Sequence, residues 1–151
     1  MTYELKVQRV LDASAEEVFE AITSVEAQRI WFRGTEQDPN MLVEIECDPR
    51  VGGQWLQVWG PNPHEIYREL CVFTVVDRPH RLAMTSTMTG PDGHSIDTVV
   101  DMAFEQTDGK TRVTIVHSGI PTAELRDFLA TMAWNGFFDR VEWYVTSYGK
   151  D

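Results

Sequence analysis

The stretch SIDTVVDMAFEQTDGKTRVTIVHSGIPTAELRDFLATMAWNGFFDRVEWYVTS, residues 95–147, reads as two strands, a tight turn and a long helix in immediate succession. Its first part puts Ile96, Val100, Met102 and Phe104 on one side and Asp97, Asp101 and Glu105 on the other, the period-two alternation of a half-buried strand. Asp108-Gly109 then supplies residues that tolerate the positive φ of a two-residue hairpin turn. Residues 111–118 alternate again, with Val113, Ile115 and His117 on one face. After Pro121-Thr122 the period changes. Thr122 reads as an N-cap, and Glu124 lies in the first turn, where the helix dipole favours an acid. Leu125, Leu129, Met132 and Gly136 recur at helical spacing, as do Phe128, Trp134, Phe138 and Val141. A helix that runs to about Ser147 is roughly 38 Å long at the α-helical rise, enough to cross a whole small sheet.

Working outward, residues 3–11 alternate as a strand, with Tyr3, Leu5 and Val7 against Glu4, Lys6 and Gln8. Ser14-Ala-Glu-Glu17 has the form of a capping box, followed by the apolar face Val18, Phe19 and Ile22. A second short helix over Val25–Phe32 takes Ser24 as its cap, and Gly34 through Asn40 is a loop. The middle of the chain is a run of strands: 42–47, 54–59, 65–76 and 81–88. They are separated by the bend Arg50-Val-Gly-Gly53, the turn Gly60-Pro-Asn-Pro63, the break Asp77-Arg-Pro79 and the hairpin loop Gly90-Pro-Asp-Gly93. The expected architecture is a single α+β domain over residues 1–151. It is a curved antiparallel sheet of about seven strands around one long C-terminal α-helix, with two short helices after the first strand. One large helix cannot cover a flat sheet of that size, so the sheet must curl around it. Curling leaves a hollow unless large side chains fill it.

The 151 residues carry 42% hydrophobic and 25% charged side chains, ordinary for a globular domain and too apolar for disorder. With Lys plus Arg at 13 and Asp plus Glu at 24, the formal net charge is -11, and no third of the chain is basic. A sequence-independent grip on phosphates needs clustered Lys and Arg, so nucleic acid and anionic membrane are poor partners. No apolar run is long enough to span a bilayer, and MTYELKVQRV is not a secretory signal, so the expected compartment is cytoplasmic. Cys47 and Cys71 match no metal spacing and read as reduced thiols.

Several segments resemble a known family. Arg9-Val-Leu-Asp-Ala-Ser-Ala-Glu-Glu-Val-Phe19 resembles the opening of the SRPBCC, or START-like, superfamily, whose architecture is called the helix-grip fold. Asp48-Pro-Arg-Val-Gly-Gly-Gln-Trp55 is similar to its Arg-Val-Gly-Gly-x-aromatic segment, and Val76-Asp-Arg-Pro-His-Arg-Leu82 to its Pro-x-Arg-Leu entry into the next strand. Thr111-Arg-Val-Thr-Ile-Val-His117 and Gly136-Phe137 resemble its last strand and its C-terminal helix motif. The set, in order along almost the whole chain, resembles the branch that includes homologues of the activator of heat-shock-protein ATPase. That resemblance implies the helix-grip fold. It leaves function open among ligand carriers, polyketide cyclase-like proteins and co-chaperone-like domains. The chain departs from the pattern with Phe137 where Gly-Trp is usual, and with Glu69-Leu70-Cys71 where many members open the strand with glycine.

The sequence holds no nucleophile elbow, phosphate loop or zinc-protease motif. His94 and Asp97 have metal-like spacing, but positions three apart on a strand face opposite ways, so no metal is expected. No cofactor is expected either. His64, His80 and His94 sit in or beside turns and read as solvated, whereas His117 shares an apolar face and is the candidate acid/base group if the chain is an enzyme. Glu16-Glu17 and Glu44/Glu46 read as solvated pairs, and Glu69 and Asp97 are ambiguous. The aromatic and methionine content is the stronger signal. Trp31, Trp55, Gln57, Trp59, Tyr67, Met84, Ser86, Met102, His117, Met132 and Phe138 are the candidate ligand-binding residues, with Met88, Thr98 and Trp134 as further lining candidates. A hollow of about 300 Å³ left empty would cost on the order of 7 kcal/mol, so it is either filled by side chains or occupied by a guest. The expected function is therefore binding of a small hydrophobic molecule. A cyclase- or dehydratase-like enzyme on the same site, a chaperone-directed interaction domain and a homodimer stay open as alternatives.

Overall fold

In the computed structural model, which describes residues 1–33 and 41–149, seven antiparallel strands form one curved, unclosed sheet in the order β1-β7-β6-β5-β4-β3-β2. The strands are β1 (Tyr3–Leu11), β2 (Met41–Cys47), β3 (Gln54–Gly60), β4 (Tyr67–Asp77), β5 (Arg81–Thr89), β6 (Ser95–Thr107) and β7 (Lys110–Ile120). Between β1 and β2 lie α1 (Ala15–Thr23) and α2 (Val25–Arg33). Because β1 and β2 occupy opposite edges, this helical pair must carry the chain across the whole sheet. The loop expected over Gly34–Asn40 lies outside the described residues. No described helix is long and apolar enough to cross a membrane.

Local chemistry accounts for the boundaries. Ser14 accepts from the Glu17 backbone N–H while the Glu17 carboxylate accepts from the Ser14 backbone N–H, so the capping box closes both ways. At the bend before β3, a Cβ on Gly53 would fall 2.0 Å from the Asp48 carbonyl oxygen, a distance no side chain tolerates. In the β6–β7 turn, Asp108 and Gly109 take φ values of 54° and 79°, the left-handed pair a tight hairpin needs. Arg78, in the β4–β5 turn, pairs with Glu16 and Glu20 and lies over the Phe19 ring, which docks that turn on α1.

The C-terminal rod differs from the single regular helix expected from Pro121 to Ser147. It is α3 (Ala123–Phe128), capped by Thr122 as expected, then a π-helical turn over Leu129–Ala133, then α4 (Trp134–Ser147). A π turn inserts an extra residue and re-phases everything after it. The uninterrupted helical spacing therefore misplaces residues on the near side. Phe128 is 55% and Met132 64% exposed, while Phe138, Val141 and Val145 beyond the turn are buried.

Hydrogen bonds from buried and half-buried indoles tie the layers together. The Trp31 Nε1–H donates to the Ala21 carbonyl at 2.8 Å and fastens α2 to α1. The Trp55 Nε1–H donates to Gln28 Oε1 at 2.7 Å, and the same Gln28 amide donates to the Ile22 carbonyl at 2.9 Å, so one buried side chain joins the sheet, α2 and the end of α1. The Trp134 Nε1–H donates to His117 Nδ1 at 3.1 Å and fastens α4 to β7. An indole N–H can only donate, so Nδ1 is the unprotonated nitrogen and Nε2 carries the hydrogen. That hydrogen goes to Thr98 Oγ1, 2.8 Å away on β6. His117 is 5% exposed, and burial drops its pKa to about 4.

Gln28→Leu removes both the acceptor for Trp55 and the donor to Ile22, leaving buried polar atoms without partners. The expected loss is about 3 kcal/mol in urea denaturation. For His117 the folded pKa lies below the unfolded value, so the unfolded chain takes up the proton first as pH falls. Its contribution is complete above the ordinary pKa near 6.5 and is lost as pH drops toward about 4. The stability measured by denaturant titration therefore rises by about 3 kcal/mol between those limits from this group, and His117→Gln flattens that part of the profile.

Candidate functional site

The register places the inward residues in rows across the concave face. Trp59 lies opposite Tyr67; Gln57, Glu69, Met88 and Ile96 form the next row. Trp55, Cys71, Ser86 and Thr98 follow, and then Phe73, Met84, Val100 and His117. The polar members, Gln57, Glu69, Ser86, Thr98 and His117, run diagonally across this floor from β3 to β7. The helices supply the opposite wall. Ring contacts pass without a break from Tyr67 to Trp59, Phe32, Trp31, Phe137, Trp134 and back to the sheet at His117, with centroids 5.3 to 6.1 Å apart. An aromatic roof thus faces a polar diagonal.

The diagonal falls into two hydrogen-bonded groups. At one end His117 is fixed between Thr98 and Trp134, with both ring nitrogens engaged. At the other, the Ser86 hydroxyl donates to Glu69 Oε2 at 2.7 Å. Glu69 keeps partial exposure, yet its carboxyl is packed round by protein, and that burial pushes its pKa above the ordinary carboxylate range. Cys71 shares the face of Glu69, and burial, with the neighbouring carboxyl, pushes its thiol upward as well. Burial also pushes Cys47 up to about 11. Both thiols are free. Cys47 and Cys71 flank Trp55 from opposite sides, two strand spacings or about 9.6 Å apart, beyond the reach of a disulfide.

The expected ligand-binding residues divide into three sets. Trp31, Trp55, Met84, Met102, Ser86, His117 and Phe138 are buried inside. Trp31, Trp55, Met84, Met102 and Phe138 belong to the packed core, with Trp55 stacked on Phe73 at 6.1 Å. Gln57 and Trp59 are half-buried toward the end of the concave face, and Tyr67 is at its rim, 38% exposed. Met132 stands outside, on the solvent side of the π turn, so it does not join the others. His64, His80 and His94 are exposed as expected. His94 turns to Asp92 and Asp97 to Thr87, and among the described residues no three His, Cys, Asp or Glu side chains are grouped to hold a metal ion. Gln28 went unnoticed in the sequence; an amide three residues before Trp31, on the apolar side of a helix, was the available sign. Glu69 was legible only as an ambiguous acid.

A shallow open groove of about 400 Å³ lies elsewhere, on the bend between β2 and β3, with Glu46, Asp48, Arg50 and Gln54 in its walls. Arg50 is paired with Asp48 there, and the buried polar groups are not part of it.

Comparison with known proteins places this geometry. The family model described as activator of Hsp90 ATPase homolog 1-like protein matches residues 12–146. No curated protein matches the chain. Among solved structures, the Mll3558 protein from Rhizobium loti superposes with a TM-score of 0.77 at 16% identity, over 95% of this chain and 97% of that one. Protein CV1439 from Chromobacterium violaceum gives 0.75 at 19% identity over 95% and 97%. CalU16 from Micromonospora echinospora gives 0.69 at 16% identity over 97% and 78%. At these identities the likeness is one of fold. The matched segment runs from the residue after β1 to the penultimate residue of α4, and the chain belongs to the family of activator of Hsp90 ATPase homolog 1-like proteins.

Proposed function

We propose that the chain binds a small, largely apolar molecule at the β3–β5 end of the concave face. The supporting observation is Glu69. A carboxyl on the inward face, held by Ser86 and raised in pKa by burial, adds nothing to an apolar core and is expensive to keep there. Beside it stand half-buried Gln57, Trp59 and Met88, with the Tyr67 ring at the rim. Apolar and aromatic walls with a few convergent polar groups are what small-molecule sites are made of. The remainder of the concave face, around Trp55, Phe73, Met84 and Phe138, serves as the rigid packed base of the site.

The enzyme alternative has less behind it. His117 already accepts from Trp134 and donates to Thr98, so neither ring nitrogen is available to take a substrate proton. The chaperone-docking alternative draws on exposed apolar side chains, Phe128 and Met132 on the C-terminal rod among them.

Nile red, a neutral apolar dye, is expected to bind one equivalent per chain with a fluorescence blue shift. Native mass spectrometry after exposure to a lipid and metabolite extract is expected to retain a discrete small-molecule adduct. Trp59→Ala, which removes one wall, is expected to weaken the dye about tenfold, or about 1.4 kcal/mol. Absence of both dye binding and any adduct in the folded wild-type protein rejects the reading.

A further inference from the structure

The end of the concave face that carries the proposed binding reading combines an acid with a particular arrangement of rings. Trp59 and Tyr67 are cross-strand partners stacked at 5.9 Å with their planes 17° apart. Phe32 meets Trp59 edge-on at 5.9 Å. Glu69 follows Tyr67 by two residues on the same face of β4, and its cross-strand partner Gln57 is two residues from Trp59. The carboxyl and the stacked rings therefore occupy adjoining rows, about 7 Å apart at the backbone, within the span of one small head group. Phe32, the ring that meets Trp59, itself carries a cation–π contact: the Arg140 guanidinium of α4 lies 5.7 Å from its centroid.

The charge of the whole molecule points the same way. A net charge of -11 raises the local concentration of cations and lowers that of anions. Ring faces next to a carboxyl are complementary to an alkylated ammonium, which is held by the rings' negative faces and by the acid together. An opposite charge beside Glu69 also offsets the desolvation that burial imposes on its ionised form. Burial favours the neutral form of Glu69, and an ammonium beside it draws the carboxyl back to its ionised form, which a carboxylate or a neutral head group does not do.

We infer that this end of the concave face takes an apolar organic amine in its ammonium form, with the alkyl part on Trp59, Tyr67 and Met88 and the charge against Glu69. The inference rests on the binding reading above and goes beyond it in fixing the ligand's charge.

The test is a head-group series on one chain length. Octyltrimethylammonium, 1-octanol and octanoate, all below micellar concentration, compete with Nile red on the folded wild-type protein. The ammonium is expected to bind at least tenfold more tightly than either of the others. Glu69→Gln is expected to remove that preference, bringing the ammonium to within about twofold of octanol on the same variant, and circular dichroism checks that the variant folds. Should it not fold, the wild-type ranking still decides. If octanol or octanoate equals or exceeds the ammonium while Nile red binds, the ammonium inference is overturned and the binding reading stands. If neither the dye nor any member of the series binds, both fall.

Discussion

A buried indole N–H must find an acceptor, and in this protein that requirement joins the layers. Trp31 finds its acceptor on α1, Trp55 on α2, and Trp134 on the sheet. A large side chain fills volume wherever it is put, and dispersion alone does not fix its orientation. A donor that must be satisfied does fix it. Each of these rings therefore sets the position of one element against another to within a hydrogen bond. Gln28 is the most connected acceptor. Its oxygen takes the Trp55 proton and its nitrogen serves the Ile22 carbonyl, so α1, α2 and β3 meet at one amide. The curved sheet, open at β1 and β2, keeps its helices in place through such points as well as through apolar burial.

The same logic separates the inward polar residues into two groups. His117, Thr98 and Trp134 form a chain in which the imidazole is neutral and both of its ring nitrogens are engaged. That is a core hydrogen-bond network, and its residues position α4. Glu69 is of another kind. Its partner Ser86 holds it, and burial raises its pKa. A carboxyl retained under those terms, next to stacked rings at the rim, is the observation on which the proposed binding reading rests. The π turn before α4 contributes by setting the phase of the helix, so that Trp134, Phe137 and Phe138 turn inward and Phe128 and Met132 outward.

Much of this was legible in the sequence. Alternation marked the strands to within a few residues, and Ser14-x-x-Glu17, Thr122 and Asp108-Gly109 marked a helix start, a helix cap and a hairpin turn that the structure contains. Segment resemblance indicated the family that the match over residues 12–146 shows. The candidate site was less legible. Pattern identified which residues face inward on a strand, hence Trp55, Ser86, Met102 and His117, but it treated the C-terminal segment as one uniform helix and so placed Met132 among them. Gln28 and Glu69 were not separable from ordinary polar residues, because their roles depend on partners far away in the chain: Gln28 meets Trp55 and Glu69 meets Ser86.

The order of elements, the strand faces, the caps and the acidic balance were determined by the sequence itself, because each is written in residues close together along the chain. Which inward residues pack solid and which stay half-open was decided only by the tertiary structure. Packing density and desolvation depend on neighbours that the fold brings together across rows of the sheet, and a linear pattern records the face a side chain takes without recording what stands opposite it.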